Sequence, residues 1–412
     1  MNKIDTNISG KEDKYSGTED KYELVYSFSN LEIYFIPTTK YKTNTITFFF
    51  IDNLRKETVS MNALIPAVLR RGCRKYPDMN EISLQMEKLY GASFDCGVIK
   101  KCEYHIIYFY AECISDSYIP EKIKNDNHKD LFRNCLDLLV DIITDPITKN
   151  GGFKSDFLVS EKENLKRLIE GRINDKVSYS IDRCFEEMCK DEPYSIFRLG
   201  DLQGLNDVDE KKLYNHYMNV IHNYPLKVFI CGNVSDKDIE YLKNLLVQKR
   251  NKTININMDY MNTSHCHKAG NQAYITDNQN HKNKEIKEVV EFFDVTQAKL
   301  SIGFRANVYP VDKDFHALFV TTGILDGDMN SKLFKNVREK AGLAYYIFSL
   351  FEKFKGIILI SCGIDAQNKE KTVELILEQI AEIKSGNISE IEYKSALKSI
   401  ENAINSIRDD QL

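Results

Sequence analysis

Carboxylates, thiols and imidazoles are the side chains from which a metal or catalytic site could be assembled in this sequence. Glu163 and Glu170, in the run EKENLKRLIEGR, stand seven residues apart, which puts both carboxylates on one helical face two turns apart. Such a pair could hold a hard cation weakly. The plainer alternative is a solvated helix face paired with Lys166 and Arg167. His265, Cys266 and His267 form the one metal-like cluster, but structural zinc takes four ligands at wider, paired spacings. The surrounding stretch, from about Lys249 to Lys287, is rich in Asn, Lys and His and reads as a solvated insertion. The ten cysteines are scattered without a CxxC pair, as reduced, mostly buried thiols would be. None of the eight histidines stands three or four residues from another, and there is no GxSxG, P-loop or GxGxxG.

Bulk properties narrow the function classes. With 412 residues and 42% hydrophobic composition the chain can bury sizeable cores. The net charge of −5 and a pI near 6.0 come from interspersed acids and bases, which excludes a basic nucleic-acid footprint. No apolar run reaches the roughly 18 residues of a membrane span, and the amino terminus lacks the apolar core of a signal peptide. The expectation is a soluble cytoplasmic protein with no membrane span.

The elements that would position any site come in two similar sets. Residues 1–21 are polar and charged, and are expected to form a disordered tail. A β-branched and aromatic run over Glu23–Ile36 and the segment Thr45–Asp52 predict two strands joined by a turn. Helices follow over Met61–Arg71, stopped by Gly72, and Glu81–Tyr90, stopped by Gly91, then a strand over His105–Glu112 and helices over Asp130–Ile143 and Asp156–Ile173. The order recurs as strand Gln297–Ala306, helices Phe315–Leu325 and Ser331–Lys340, strand Gly356–Cys362, and helices Lys369–Ile383 and Glu390–Ile407. Local similarities, MNALIPAVLRRG against FHALFVTTGILDG and MEKLYGASFD against VREKAGLAYYI, are what an internal duplication leaves. The expected organisation is an N-terminal domain over 22–240, a polar linker over 241–285 and a C-terminal domain over 286–412. The later set has no counterpart of the helix near Glu210–Val220 or of the strand Lys227–Asn233, so the second domain is expected either to be genuinely short or to be incomplete at its C-terminus by about one helix and one strand.

These segments resemble the pitrilysin/insulinase metallopeptidases, the inverzincins, over nearly all of residues 22–412. The resemblance implies an α+β fold of two duplicated α/β domains, each a mainly antiparallel sheet covered by helices. In that family the helix after the early strands carries HxxEH. Counting back from Arg71-Gly72, the ligand histidines fall on Ala63 and Ala67 and the catalytic glutamate on Pro66. Ala has no lone pair for zinc, and Pro cannot be a general base towards metal-bound water. The family's third ligand is a Glu seven residues after another, a spacing that Glu163 and Glu170 share. The family's second mark is SKLFKNVREKAGLAYYIFS (Ser331–Ser349), in which the resemblance assigns Arg338 and Tyr345 to face a zinc site across a chamber. A guanidinium suits a peptide carbonyl or carboxylate, and a phenol can donate to a developing oxyanion.

The segments TNTITFFFIDNLRKETVSMNALIPAVLRRG, KLYGASFD and EEMCKDEPY look like a bacterial subgroup that lacks HxxEH and is paired with a relative that has it. The resemblance implies a non-catalytic, zinc-less subunit without cofactor. Its partners would be an HxxEH-bearing subunit and a peptide or unfolded protein segment, with a link to elongation factor modification or to peptide maturation. The alternative is a stand-alone peptide-binding or scaffold protein.

Overall fold

The computed structural model describes residues 22–119, 130–250 and 286–407. The expected tail over 1–21 and the His265-Cys266-His267 segment lie outside them.

The first sheet takes its strands from both ends of the first half. In chain order the strands of this half are β1 (Glu23–Phe28), β2 (Leu31–Pro37), β3 (Thr43–Asn53), β4 (Ser93–Lys101), β5 (Tyr104–Ile114), the two-residue strands β6 (Thr148–Lys149) and β7 (Gly152–Phe153), which pair only with each other, and β8 (Leu226–Gly232). The six longer strands lie in the order β1-β2-β8-β3-β5-β4, antiparallel throughout except for the parallel pair of β2 with β8. Alternation explains the layering: Ile33, Phe48, Phe50, Ile107, Phe109, Val228 and Ile230 turn to one face and are buried. That face is covered by α1 (Lys56–Leu69) and α3 (Leu131–Thr144), with α2 (Met79–Lys88), α4 (Ser155–Gly171), the short α6 (Leu202–Asn206), α7 (Glu210–Asn223) and α8 (Asp236–Arg250) around them. Between α4 and α6 in the chain runs α5 (Lys176–Met188).

The second sheet is separate, with strands β9 (Ala298–Arg305), β10 (Ala344–Glu352) and β11 (Ile357–Ile364) in the antiparallel order β10-β11-β9. Its helices are α9 (Phe315–Asp326), a π-helical segment (Leu333–Lys340), α10 (Lys369–Lys384) and α11 (Glu390–Ile407). The series β3-α1-α2-β4-β5-α3-α4 therefore has the same order as β9-α9-π-β10-β11-α10-α11. The lateral order β4-β5-β3 likewise matches β10-β11-β9.

Three sequence expectations change. The run Glu23–Ile36 is a hairpin, because Ser29 takes a left-handed conformation (φ 55°) and reverses the chain. β4 and its counterpart β10 were not expected at all: Asp95, Gly97 and Lys100 interrupt the apolar alternation of β4, and pairing with β5 and with β11 makes strands of the two segments. Residues 241–250, expected in the linker, complete α8, whose Leu242 and Leu246 are buried in the first core. Gly72 ends the α1 region as expected. At its φ of 153° a Cβ would stand 2.7 Å from the Pro77 backbone.

The halves meet through equivalent turns. Lys355, in the β10–β11 turn, is 6% exposed and places Nζ 2.8 Å from Glu103 Oε1, in the β4–β5 turn, and 2.6 Å from Glu192 Oε2. Glu192 also accepts from Arg305 at 2.5 Å. The Tyr194 hydroxyl donates to Glu352, and the Lys100 ammonium lies 4.2 Å from the Tyr194 ring while donating to the Tyr194 carbonyl. α5 belongs to this junction. Its Ser180 and Ser301 hydroxyls are 2.7 Å apart, and Met188 packs where a side chain on Gly303 would have to go.

Candidate functional site

Helix α1 owes its position to burial: ten of its fourteen residues are buried, and its stripe towards β4 and α4 carries Ala63, Pro66 and Ala67. Ala63 is 7% exposed and Pro66 is buried. Pro66 gives the helix interior no N–H. Its carbonyl accepts from the Arg70 N–H at 3.0 Å and from the Cys96 thiol at 3.3 Å. Cys96, on the edge strand β4, is thus the reactive-type side chain adjoining the stripe. Burial pushes its thiol up to about 12 against the opposing pull of Arg70, so it stays protonated at neutral pH and is no thiolate nucleophile.

The carboxylate that α4 turns to α1 is Glu161, which pairs with Arg71, whose guanidinium also donates to Ser160 at 2.6 Å. Glu163 and Glu170, the pair singled out from sequence, are both exposed, and among the described residues no hydrogen bond or ion pair joins their side chains to α1. The reason is register. Leu158 and Leu165 bury the inward stripe of α4, which carries Glu161 with it and turns Glu163 and Glu170 outward. Seven residues beyond Glu161 stands Leu168, 60% exposed. Zinc does not fit this place: two alanines, a proline and a leucine offer no donor atoms, and Glu161 is committed to Arg71. Among the described residues no group of three His, Cys, Asp or Glu side chains is arranged to hold a metal ion.

Beneath the stripe lies a polar network that sequence reasoning missed. Asp52 at the end of β3 accepts from Arg55 at 2.8 Å, Thr58 at 3.0 Å, Asn62 at 3.3 Å and Tyr224 at 2.9 Å. The Asn62 amide nitrogen also faces His105 Nδ1 at 3.2 Å, and its oxygen faces His216 Nε2 at 2.7 Å. That pattern requires a proton on His216 Nε2 and a lone pair on His105 Nδ1. Burial pulls both imidazoles down to about 4, so both are neutral at physiological pH. His105 and Asn62 are wholly inaccessible, so the network pins α1 to β3, β5 and α7 and does not meet a substrate. The one sequence signal was Asn62 itself, a lone amide inside the apolar run of α1.

In the second half, Arg338 and Tyr345 both stand on irregular backbone. Arg338 belongs to the π-helical segment, whose Leu333 and Val337 are fully buried. Its guanidinium lies 4.8 Å from the Phe334 ring and 3.8 Å from the Glu339 carboxylate, with the side chain 40% exposed. Tyr345 is the extra residue where the register of β10 against β11 shifts between Ala344 and Tyr346. The bulge re-aims its ring to the surface, 53% exposed, where its hydroxyl donates to Asp365 at 2.8 Å. π-helical turns and β-bulges both break regular ladders and are enriched beside functional sites. Among the described residues no hydrogen bond or ion pair links Arg338 or Tyr345 to α1 or α4.

The comparisons with known proteins agree with this geometry. Residues 207–400 match the family model "Peptidase M16 inactive domain". Over 382 residues the chain is 31% identical to the "Probable inactive metalloprotease YmfF" of Bacillus subtilis (strain 168), spanning 93% of this chain and 84% of that one. A 110-residue stretch is 29% identical to the "Uncharacterized zinc protease YmxG" of the same organism, 26% of this chain and 27% of that one. The crystal structure of a conserved protein from Enterococcus faecalis V583 superposes with a TM-score of 0.77 at 26% identity, over 93% of this chain and 84% of that one. The chain belongs to the M16 family, that of the pitrilysin/insulinase metallopeptidases. Within it, this protein is an inactive peptidase homologue of mixed α+β fold. Among its described residues no helix is long and apolar enough to cross a membrane.

Proposed function

We propose that this protein is the non-catalytic subunit of a cytoplasmic M16-type peptidase pair, enclosing a peptide or unfolded segment together with an HxxEH-bearing partner. One observation carries this reading. The positions that would hold zinc and its base are Ala63, Pro66 and Ala67, whereas the Arg338–Tyr345 segment keeps its polar groups and presents them on a π-helical turn and a bulge. Division of labour accounts for that asymmetry, with metal and base on one chain and peptide-holding groups on the other. Arg338, resting on Phe334 with the Glu339 carboxylate 3.8 Å away, is suited to a peptide carbonyl or a terminal carboxylate. The partial similarity to a zinc protease supports a partner of the same fold. A substrate connected with elongation factor modification, or a maturing small peptide, is the class that the subgroup resemblance favours.

The test is to co-express the chain with the HxxEH-bearing relative encoded nearest to its gene, separate the products by size-exclusion chromatography and assay peptide hydrolysis. A heterodimer whose turnover exceeds that of the partner alone is expected. A partner that is fully active alone and does not co-elute would leave the scaffold alternative.

A further inference from the structure

Asp365 follows directly on β11 and occupies the N-cap position of the 3-10 turn Ala366–Asn368 that leads into α10. Its backbone is extended there (φ −73°, ψ 133°), the conformation in which an Asp side chain normally accepts from the N–H groups of the turn it begins. It makes no such bond. Its carboxylate is diverted instead to the Tyr345 hydroxyl, 2.8 Å away and twenty residues earlier in the chain, which the bulge in β10 has swung out to meet it. A phenol has one proton to give. With that proton directed at Asp365, what Tyr345 offers a ligand is its oxygen lone pairs.

We propose that Asp365 is a positioning residue that holds Tyr345 as a hydrogen-bond acceptor, so that this site takes a donor group of a bound peptide, a backbone N–H or an ammonium, and not a developing oxyanion. The proposal rests on the subunit reading above and changes the role that the family resemblance assigns to the phenol. Arg338 and Tyr345 then make complementary contacts with one extended peptide, the guanidinium taking carbonyl oxygens and the phenol taking N–H groups. The hydrogen bond to Asp365 also raises the tyrosine above its ordinary range, which keeps the phenol neutral in either role.

Two measurements on the full chain decide it. With tyrosine labelled at the Cζ carbon, the Tyr345 resonance is identified by its loss in Tyr345→Phe and followed against pH in the wild type, Asp365→Asn and Asp365→Ala. Titration above the ordinary tyrosine value in the wild type, falling towards it in both Asp365 variants, supports the pair. Identical titration in all three overturns it. Neither variant removes a helix cap or a buried group, so misfolding does not confound the comparison. In the reconstituted pair, Tyr345→Phe and Asp365→Ala are expected to raise KM severalfold with kcat preserved, and Asp365→Asn, which keeps an acceptor oxygen, to recover part of the loss. A fall in kcat of about 10² or more at unchanged KM is the signature of a lost oxyanion donor and overturns the acceptor assignment. A partner that needs no second chain would sink the subunit reading while the resonance titration still decides the Tyr345–Asp365 assignment.

Discussion

Replacing Lys355 by Met keeps the aliphatic stem and removes a buried cation that joins the two halves. The ammonium lies between Glu103 at 2.8 Å and Glu192 at 2.6 Å, and the lysine is 6% exposed. Burial acts to lower its pKa, but the two carboxylates outweigh it and hold the lysine above its ordinary range. Breaking a buried ion pair from one side costs about 3–5 kcal/mol, because the charge left behind stays desolvated. Two features place Lys355→Met near the lower bound. Glu192 keeps Arg305, and the side chains of Glu103 and Glu192 retain 22% and 19% exposure. The expected loss is about 3 kcal/mol. Urea unfolding followed by far-ultraviolet circular dichroism and by tyrosine fluorescence measures it, both probes being needed because two packed units need not unfold together. Glu103→Gln in the Lys355→Met background should return part of the loss, since it removes one of the stranded charges. A cost below about 1 kcal/mol, the worth of an ordinary surface pair, would refute the claim that this turn locks the halves.

Further outcomes are expected. His105 and His216 are held neutral, each down to about 4, while an unfolded histidine titrates near 6.5. Their depressed values mean that the stability they contribute is full above about 6.5 and falls as pH drops towards 4, by up to about 3 kcal/mol for the inaccessible His105. Unfolding midpoints that stay flat from pH 7 to about 4 would contradict this. Asn62→Ala should cost about 3 kcal/mol, because it strands Asp52, His105 and His216 contacts in a dry site, and calorimetry of the variant measures that directly. The dialysed chain is expected to retain no stoichiometric zinc and to cleave no peptide alone. One tightly held equivalent, lost in Glu170→Gln, would show that the exposed face of α4 had been misjudged.

Much of this architecture could be read from periodicity. The repeated order of strands and helices, the stops at Gly72 and the long buried run of α1 are local properties, fixed by side-chain alternation, helical spacing and turn residues within a few positions. That Ala63, Pro66 and Ala67 bring no donor atoms to α1 was equally legible, because their side chains lack them in any conformation. Side-chain direction and long-range partnership were not. Spacing alone allowed Glu163 and Glu170 to share a face, but only the packing of Leu158 and Leu165 decided that Glu161 is the carboxylate turned to α1. The strand β4 needed β5 to exist, and Asn62 needed β3, β5 and α7 to explain an amide in an apolar helix. Arg338 and Tyr345 could be named from their segment, whereas the proton arrangement at Tyr345 depends on Asp365, brought beside it by the antiparallel pairing of β10 with β11. Residue types are written in the chain; the direction in which each donor and acceptor points is settled by contacts between parts of the chain far apart in sequence, where hydrogen bonds are available only after the sheets have formed.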